Sequence, residues 1–246
     1  MKMKGHGTIR TRMIMITMMF LLASVEVFRL QREYFDFYQS ARVAVDALMY
    51  FQRKDMFVLP FLMILPFYLE SRRDFFPDRV ARYPGRQQLW ISQTKKNILY
   101  SGLLTLWIGV CCIAVFWLRG CQWCNWGTEE GSLFLQFGIT ADRVSFPIVL
   151  GVYLLILWLK FMIVSLFMLL IFWIQGHFIY SVVGALVLTE YVRFDRTNVL
   201  YIHLDFWKDF PKSLIRMIVP LAVLSAMFGA GYYLAKRKEF YGKKTG

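Results

Sequence analysis

Apolar blocks alternate with charged segments along the whole chain. The clearest block covers residues 98–118 and contains no charged side chain. A helix needs about 20 consecutive apolar residues to cross the hydrocarbon core of a bilayer. The apolar tract over residues 146–188 is too long for one such helix and fits two, with a turn at residues 175–177. The pattern therefore predicts an all-α, polytopic membrane helix bundle.

About six transmembrane helices account for these blocks. They are predicted at residues 13–28, 56–69, 98–118, 146–174, 178–189 and 217–235. The first block follows a basic start, as in a signal peptide, but no small-residue cleavage site follows it, so we expect a retained helix. The second block contains Pro60 and Pro66. We expect a kinked helix there, because neighbouring helices can satisfy the freed backbone groups.

The segments between the blocks differ in charge. Residues 70–97 form the most basic internal segment, and both ends of the chain are basic. Residues 29–55, 119–145 and 190–216 are nearly balanced in charge. Basic loops stay on the cytoplasmic side of a membrane. We therefore expect a cytoplasmic loop at residues 70–97, both termini in the cytoplasm, and the three balanced segments outside.

The balanced segment at residues 29–55 allows two structures. Its charged residues are interleaved with aromatic ones, which is typical of a helix that lies in the membrane interface. The alternative is a longer first helix followed by an ordinary loop.

Composition limits the class of protein. Of the 246 residues, 58% are hydrophobic and 18% aromatic, and the mean hydropathy is +0.47. Soluble domains are typically about 45–50% apolar, so we expect a single transmembrane domain over residues 1–246. The net charge of +13 would favour nucleic acid as the partner of a soluble protein. Here the basic residues flank apolar blocks, so they indicate membrane topology and no nucleic-acid partner.

The chain carries no recognisable catalytic motif. It has no glycine-rich nucleotide-binding loop ending in Gly-Lys-Ser/Thr, and its three histidines are dispersed rather than paired as zinc ligands. Its serines do not form a hydrolase nucleophile elbow. We therefore predict that the chain is not an enzyme, has no catalytic residue, and binds no cofactor or metal itself.

Cys121 and Cys124 form a Cys-x-x-Cys pair between the third and fourth predicted helices. A metal or thioredoxin-like interpretation requires further ligands or a βαβ unit, and neither lies nearby. A local disulfide is expected if this segment is extracellular. The alternative is two unpaired cysteines in a Trp-rich interfacial turn.

Lys160 is the one basic residue deep in a predicted helix. Charge inside a membrane is costly and often functional, so Lys160 is a candidate for a translocation path. The alternative is a side chain that snorkels to the interface or faces a polar cavity.

The last predicted helix carries small residues on one face. They are Ala222, Ser225, Ala226, Gly229 and Ala230. Spacing by four places such residues where another helix can approach closely. Small residues are also common in membrane helices in general, so this face predicts helix packing and no particular function.

Three arginines of the basic loop, Arg79, Arg82 and Arg86, recur at spacings of three and four. They share one face if the segment is helical, and that face would meet carboxylates of a partner or lipid phosphates. Pro84 and Gly85 argue against a continuous helix, so two short pieces are expected. The alternative is topological, with the basic residues only fixing the orientation of the chain.

The sequence over residues 80–90 resembles a stretch of ABC transporter permease subunits of the ABC-2 type. In that group an Arg-Tyr-x-x-Arg-x-x-x-Trp pattern follows the second membrane helix and leads into the third. The residues that carry the pattern here are Arg82, Tyr83, Arg86 and Trp90. The end of the chain, a last helix followed by Lys236-Arg237-Lys238-Glu239-Phe240, is similar to the same small six-helix bacterial group.

This resemblance implies the transmembrane subunit of an ABC transporter in a bacterial plasma membrane. ATP and Mg²⁺ would bind a separate ATP-binding subunit, and a second membrane subunit, identical or different, would complete the path. The residues expected to dock the ATPase are Arg79, Arg82, Tyr83, Gly85, Arg86 and Trp90. The implied activity is export of a peptide, an antibiotic or a lipid-like substrate. The alternative is a polytopic membrane protein without transport activity, such as a sensor or an assembly scaffold.

Overall fold

The computed structural model describes residues 5–37, 43–54, 59–68, 83–124, 145–194, 214–215 and 217–237. Its helices are α1 Gly5–Phe37, α2 Ala44–Lys54, a 3-10 helix Leu59–Met63, α3 Arg86–Leu118, α4 Phe146–Gln175, α5 Phe178–Phe194 and α6 Ile218–Arg237. A short helical turn over residues 64–68 follows the 3-10 helix. Within these ranges there is no β-strand, apart from an isolated bridge between Val43 and Gln122. The predicted all-α fold is therefore confirmed.

Four helices in the described part of the chain are long and apolar enough to cross a membrane. They are Arg10–Asp36 within α1, Arg86–Leu118, Phe146–Gln175 and Ile218–Arg237. Phe178–Thr189 within α5 is apolar but shorter. Apolar side chains along these helices remain exposed, as at Leu106 (63%) and Val110 (58%). Such a surface is typical of contact with lipid, so the helices indicate an integral membrane protein with several spans.

α1 and α3 run parallel to each other. Trp107 of α3 packs on Phe20 of α1 with ring centroids 5.3 Å apart. Further along both helices, the Arg119 guanidinium lies 5.7 Å from the centre of the Phe35 ring. Residues that come later in α1 therefore meet residues that come later in α3.

α4 and α6 run antiparallel to α3. Trp90, near the start of α3, packs on Trp173, near the end of α4, with ring centroids 5.9 Å apart. At the other end of both helices, Phe116 contacts Phe146 at 6.4 Å. Trp90 also packs on Phe228, in the second half of α6, at 6.5 Å. Thus the end of α6 lies beside the start of α3.

Gly176 reverses the chain between α4 and α5. Its φ of 75° lies in the left-handed region, which glycine adopts without steric cost. Its N–H donates to the Phe172 carbonyl at 2.8 Å, which closes the last turn of α4. α5 then packs back along α4, with Gly184 against Ile171. The long apolar tract is therefore two antiparallel helices, with the turn at residues 176–177.

Residues 43–54 and 59–68 return along the bundle in short helical pieces. At one end, the Ala44 N–H donates to the Gln122 carbonyl, beyond the end of α3, at 2.8 Å. At the other end, Phe67 stacks on Phe178, where α5 begins, at 6.0 Å. Where the sequence predicts one kinked helix at residues 56–69, the structure has a 3-10 helix and a turn, preceded by α2.

α2 lies in the core. Five hydrophobic side chains of α2 and the one directly before it are at most 2% exposed. They are Val43, Ala44, Val45, Ala47, Leu48 and Phe51. α2 packs against α1 and α4, and Phe51 also stacks on Phe116 of α3 at 6.0 Å. The segment predicted outside at residues 29–55 thus contains the last turns of α1 and a buried helix. This differs from an interfacial helix, which would keep one face in water.

Basic residues gather at one end of the described part of the bundle. This end, hereafter the basic end, holds the first turns of α1 and α3 and the last turn of α6. Its basic residues include Arg10, Arg12, Arg86, Lys95, Lys96, Lys236 and Arg237. One hydrophobic cluster fills the basic end around Trp90 and Trp173, and a larger one fills the rest of the bundle.

Candidate functional site at the basic end

Trp90 belongs to the core of the basic end and not to its surface. The side chain is 0% exposed and packs on Trp173 and Phe228. A β-carbon built on Gly231 would lie 2.0 Å from the Trp90 ring, so only glycine lets α6 approach the indole this closely. A partner protein cannot touch Trp90 directly. Within the predicted docking segment, Trp90 instead links the start of α3 to α4 and α6.

The residues just before α3 are held against its first turns. The Tyr83 hydroxyl lies 3.2 Å from the Ser92 Oγ, within hydrogen-bond distance. Gly85 is the N-cap residue of α3, with extended backbone and open space around its Cα. Arg86, the first helical residue, is half-buried. Arg79 and Arg82 lie outside the described residues, so the shared arginine face stays a prediction.

One face of α3 carries buried polar side chains at the basic end. Five of them are at most 6% exposed: Gln93, Thr94, Asn97, Ser101 and Thr105. They recur at spacings of three and four, on the stripe that begins at Trp90. Charged side chains inside the apolar blocks give no sign of this stripe, because all five of its residues are uncharged. The periodic placement of amides and hydroxyls before and within the apolar block at residues 98–118 is the signal that would have found it.

The two halves of this stripe differ in hydrogen bonding. The hydroxyls of Ser101 and Thr105 donate to carbonyls of their own helix at 3.0 and 2.8 Å. The Gln93 Oε1 accepts a hydrogen bond from the Trp173 Nε1 at 2.8 Å. Other polar atoms nearer the basic end have no hydrogen-bond partner in the part of the chain that the structure describes. They are Trp90 Nε1, Gln93 Nε2, Thr94 Oγ1 and Asn97 Nδ2.

Lys160 lies in the bundle interior, where its side chain is 3% exposed. It does not reach water at an interface. Asp46 of α2, which packs against α4, is also buried, at 1% exposed, and Lys160 and Asp46 each take part in at least one interaction. A part in a translocation path stays a prediction for Lys160.

A second charged group, which was not among the predicted site residues, lies on α1. The Arg29 Nε and Nη2 donate to the two carboxylate oxygens of Glu26 at 2.8 and 2.5 Å, and Arg29 also pairs with Glu33. The Tyr50 hydroxyl of α2 lies 3.5 Å from the Glu33 carboxylate. Glu26 is 6% exposed, so its charge depends on Arg29 for compensation. The spacing of three and four along one helix is a sequence signal for this network.

No disulfide joins Cys121 and Cys124 in the structure, which describes all four cysteines of the chain. Cys121 is buried and Cys124 exposed, next to the contact between α2 and the end of α3. Pairing of the two cysteines in an oxidising compartment stays a prediction.

The small-residue face of α6 points away from the chain's own core. All five of its residues are exposed: Ala222, Ser225, Ala226, Gly229 and Ala230. The opposite face, with Pro220, Gly231 and Ala235, is buried against the bundle. Nothing lies within 4 Å of a β-carbon built on Gly229. Among the described residues, no helix packs on this face, so it is open to a further helix.

The fold and the basic end together define an integral membrane helix bundle with a buried polar face. Comparison of the chain with models of protein families, with curated proteins and with solved structures gave no match. The resemblance to ABC-2-type permeases therefore rests on the pattern from Arg82 to Trp90 and on the layout of the helices.

Proposed function

We propose that the chain is the transmembrane subunit of an ABC transporter. It would pair with a separate ATP-binding subunit and with a second membrane subunit, and would export a peptide, an antibiotic or a lipid-like substrate. The observation that carries this proposal is the firm connection between the segment before α3 and the core of the basic end.

The connection has two contacts. The Tyr83 hydroxyl lies 3.2 Å from the Ser92 Oγ, so residues 83–85 are tied to the first turns of α3. Trp90, on the same turns, is packed against α4 and α6. A force applied to the segment by an ATPase would therefore reach two further helices and repack the basic end. Transport that is driven by a separate subunit requires such a coupling between two arrangements.

The same proposal includes six passes with both termini in the cytoplasm. It is supported by the alternating directions of α1, the pieces at residues 43–54 and 59–68, α3, α4, α5 and α6. It is also supported by the basic residues gathered at the end where α1 begins and α6 ends, as the positive-inside rule requires.

Cysteine labelling tests this topology. In intact bacterial cells, a membrane-impermeant maleimide should label exposed Cys124. Thr245→Cys in a Cys124→Ser background should be labelled only after the cells are permeabilised, because the basic tail is expected inside. Cys124→Ser without the new cysteine measures labelling of the remaining cysteines. Labelling of Thr245→Cys in intact cells would reject the proposed orientation.

Copurification tests the transporter proposal itself. A tagged chain, extracted from its native membrane in a mild detergent, should bring down a polypeptide that hydrolyses ATP. Arg82→Glu with Arg86→Glu should reduce the recovered ATPase by about tenfold or more, because two charge-assisted contacts would become repulsive. Membrane insertion should be unchanged.

Lys236→Glu with Arg237→Glu is the matched control. It makes the same change of charge at the same end of the bundle, outside the segment before α3, and should leave the recovered ATPase unchanged. Equal recovery of the ATPase with both double variants would refute the assignment of Arg82 and Arg86 to ATPase docking. Absence of any ATPase from repeated preparations of the unaltered chain would remove the transporter proposal.

An assembly scaffold without transport activity is the second candidate. The exposed small-residue face of α6 favours it, since that face suits close packing with a helix of another membrane protein. In the transporter the same face would pack on the second membrane subunit. Recovery of membrane partners without an ATPase would favour the scaffold.

A further inference from the structure

Four polar side chains with unused hydrogen-bonding groups lie on adjacent turns of α3. We name Trp90, Gln93, Thr94 and Asn97 the donor face. Their exposures are 0%, 4%, 6% and 6%. Each has a buried nitrogen or hydroxyl oxygen without a hydrogen-bond partner among the described residues. Buried polar groups in proteins are nearly always hydrogen-bonded, so four neighbouring exceptions indicate a ligand.

The chemistry of these atoms selects the kind of ligand. An indole N–H only donates, so the hydrogen bond from Trp173 fixes the Gln93 Oε1 as the acceptor. The Gln93 Nε2 is therefore the unused group, and it is a donor. The Trp90 Nε1 is also a donor only, the Asn97 Nδ2 donates, and the Thr94 hydroxyl can donate. A set made of donors is complementary to a group that only accepts, which is the property of an oxyanion.

The depth of the donor face in the membrane further limits the kind of ligand that can bind there. Asn97 directly precedes the charge-free block that begins at Ile98. With a rise of about 1.5 Å per residue, Gln93 lies about 8 Å before that block, which is the depth of the lipid headgroups. Lys95, on another face of the same turns, is exposed and attracts anions to this depth.

Apolar surface adjoins the donor face. Trp173 and Phe228 pack on Trp90, and Leu89 belongs to the same cluster. A ligand with an oxyanion head and a hydrocarbon tail would satisfy the donors and keep its tail among these side chains or in the bilayer.

We propose that the donor face of α3 binds the oxyanion head group of an amphiphile. α6 covers the Trp90 part of this face, since Gly231 lies against the Trp90 ring, and Trp173 of α4 lies against Gln93. The ligand therefore enters when the ends of α6 and α4 move away from the start of α3. The site belongs to this chain alone. Its test therefore needs no ATPase, and its failure would leave the proposed transporter function standing.

Binding of dodecyl phosphate to the full chain, purified in dodecyl maltoside, tests the site. Saturable binding is expected, with a melting temperature that rises with the dodecyl phosphate concentration. Thr94→Val with Asn97→Leu should weaken the affinity by about tenfold or more, because hydrogen bonds to a charged group are lost. Thr105→Val is the matched control, since its hydroxyl already donates to its own helix, and it should bind as the unaltered chain does.

The ligand-free melting temperature checks the fold of the double variant. It should not fall, because the change removes buried groups that have no partner. If it does fall, the nearly isosteric Thr94→Val alone takes its place and should still weaken binding while Thr105→Val does not. No saturable binding, or equal affinity of the Thr94 and Thr105 variants, would overturn the proposal.

A second titration identifies the source of the oxyanion. Inorganic phosphate should compete with dodecyl phosphate only weakly if the tail contributes to binding. If inorganic phosphate binds as tightly, and Thr94→Val with Asn97→Leu weakens it equally, the oxyanion site stands and its ligand is a free anion. Uncharged dodecanol in place of dodecyl phosphate should show no saturable binding and should not raise the melting temperature. An equal response to dodecanol would overturn the oxyanion assignment.

Discussion

Gly231→Ala is expected to destabilise the basic end of the bundle, although alanine is the better helix former. The added β-carbon would lie 2.0 Å from the Trp90 ring, and the indole is rigid and packed on Trp173. Either α6 moves outward or Trp90 leaves its place, and overpacking of this kind costs about 1–3 kcal/mol. The measurement is the unfolding free energy of the full chain in mixed detergent micelles, with tryptophan fluorescence as the probe.

Gly229→Ala is the matched control, because it makes the same chemical change two residues away in the same helix. Nothing lies within 4 Å of its β-carbon, so stability should be unchanged or slightly higher. Trp90→Leu combined with Gly231→Ala should cost less than the sum of the two single changes, since the smaller side chain removes the clash. Equal stability of Gly229→Ala and Gly231→Ala would show that α6 does not rest on Trp90.

The fold class could be predicted because the bilayer requires long apolar helices. The block at residues 98–118 carries that signal without ambiguity, and α3 contains it. The break at residues 175–177 coincides with the turn for a local reason, the left-handed conformation of Gly176. The span at residues 98–118 and the turn at Gly176 could both be predicted because each depends only on residues that are close together in the sequence.

α2 could not be placed by the same reasoning. Averaged over residues 29–55 the segment looks mixed and interfacial, but its charges are concentrated near its ends. Apolar residues from Val43 to Leu48 surround a single Asp46 and are buried. A helix this short is no membrane span by length, so its burial depends on the surfaces that α1 and α4 offer, and a sequence window does not contain them.

Trp90 shows the same limit at the candidate site. Its place in the pattern from Arg82 to Trp90 suggested a docking residue, whereas its contacts are with Trp173, Phe228 and Gly231. These partners lie on two other helices, more than one span away in sequence. The donor face could not be predicted from the sequence either, because uncharged amides and hydroxyls are common in helices of every kind. Whether such side chains form a binding site depends on their burial and on which of their atoms have no hydrogen-bond partner.

Arg29→Met is expected to destabilise the second half of α1. Arg29 donates two hydrogen bonds to Glu26, whose side chain is 8% exposed, and it also pairs with Glu33. Without the guanidinium, a buried carboxylate would lose its compensating charge, and breaking a buried pair in this way costs about 3–5 kcal/mol. Because 45% of the Arg29 side chain is exposed, water can replace part of the loss, so we expect the lower end of that range.

Two further variants separate charge from shape. Glu26→Gln added to Arg29→Met should restore most of the unfolding free energy, because it removes the uncompensated carboxylate and leaves the packing nearly unchanged. Arg32→Met, on the next turn, breaks the ion pair between Arg32 and Asp36. These two side chains are 83% and 73% exposed, respectively, so the free energy of unfolding should change by less than about 1 kcal/mol. Equal losses for Arg29→Met and Arg32→Met, or no rescue by Glu26→Gln, would mean that Glu26 is solvated and that α1 is held by its apolar contacts with α3.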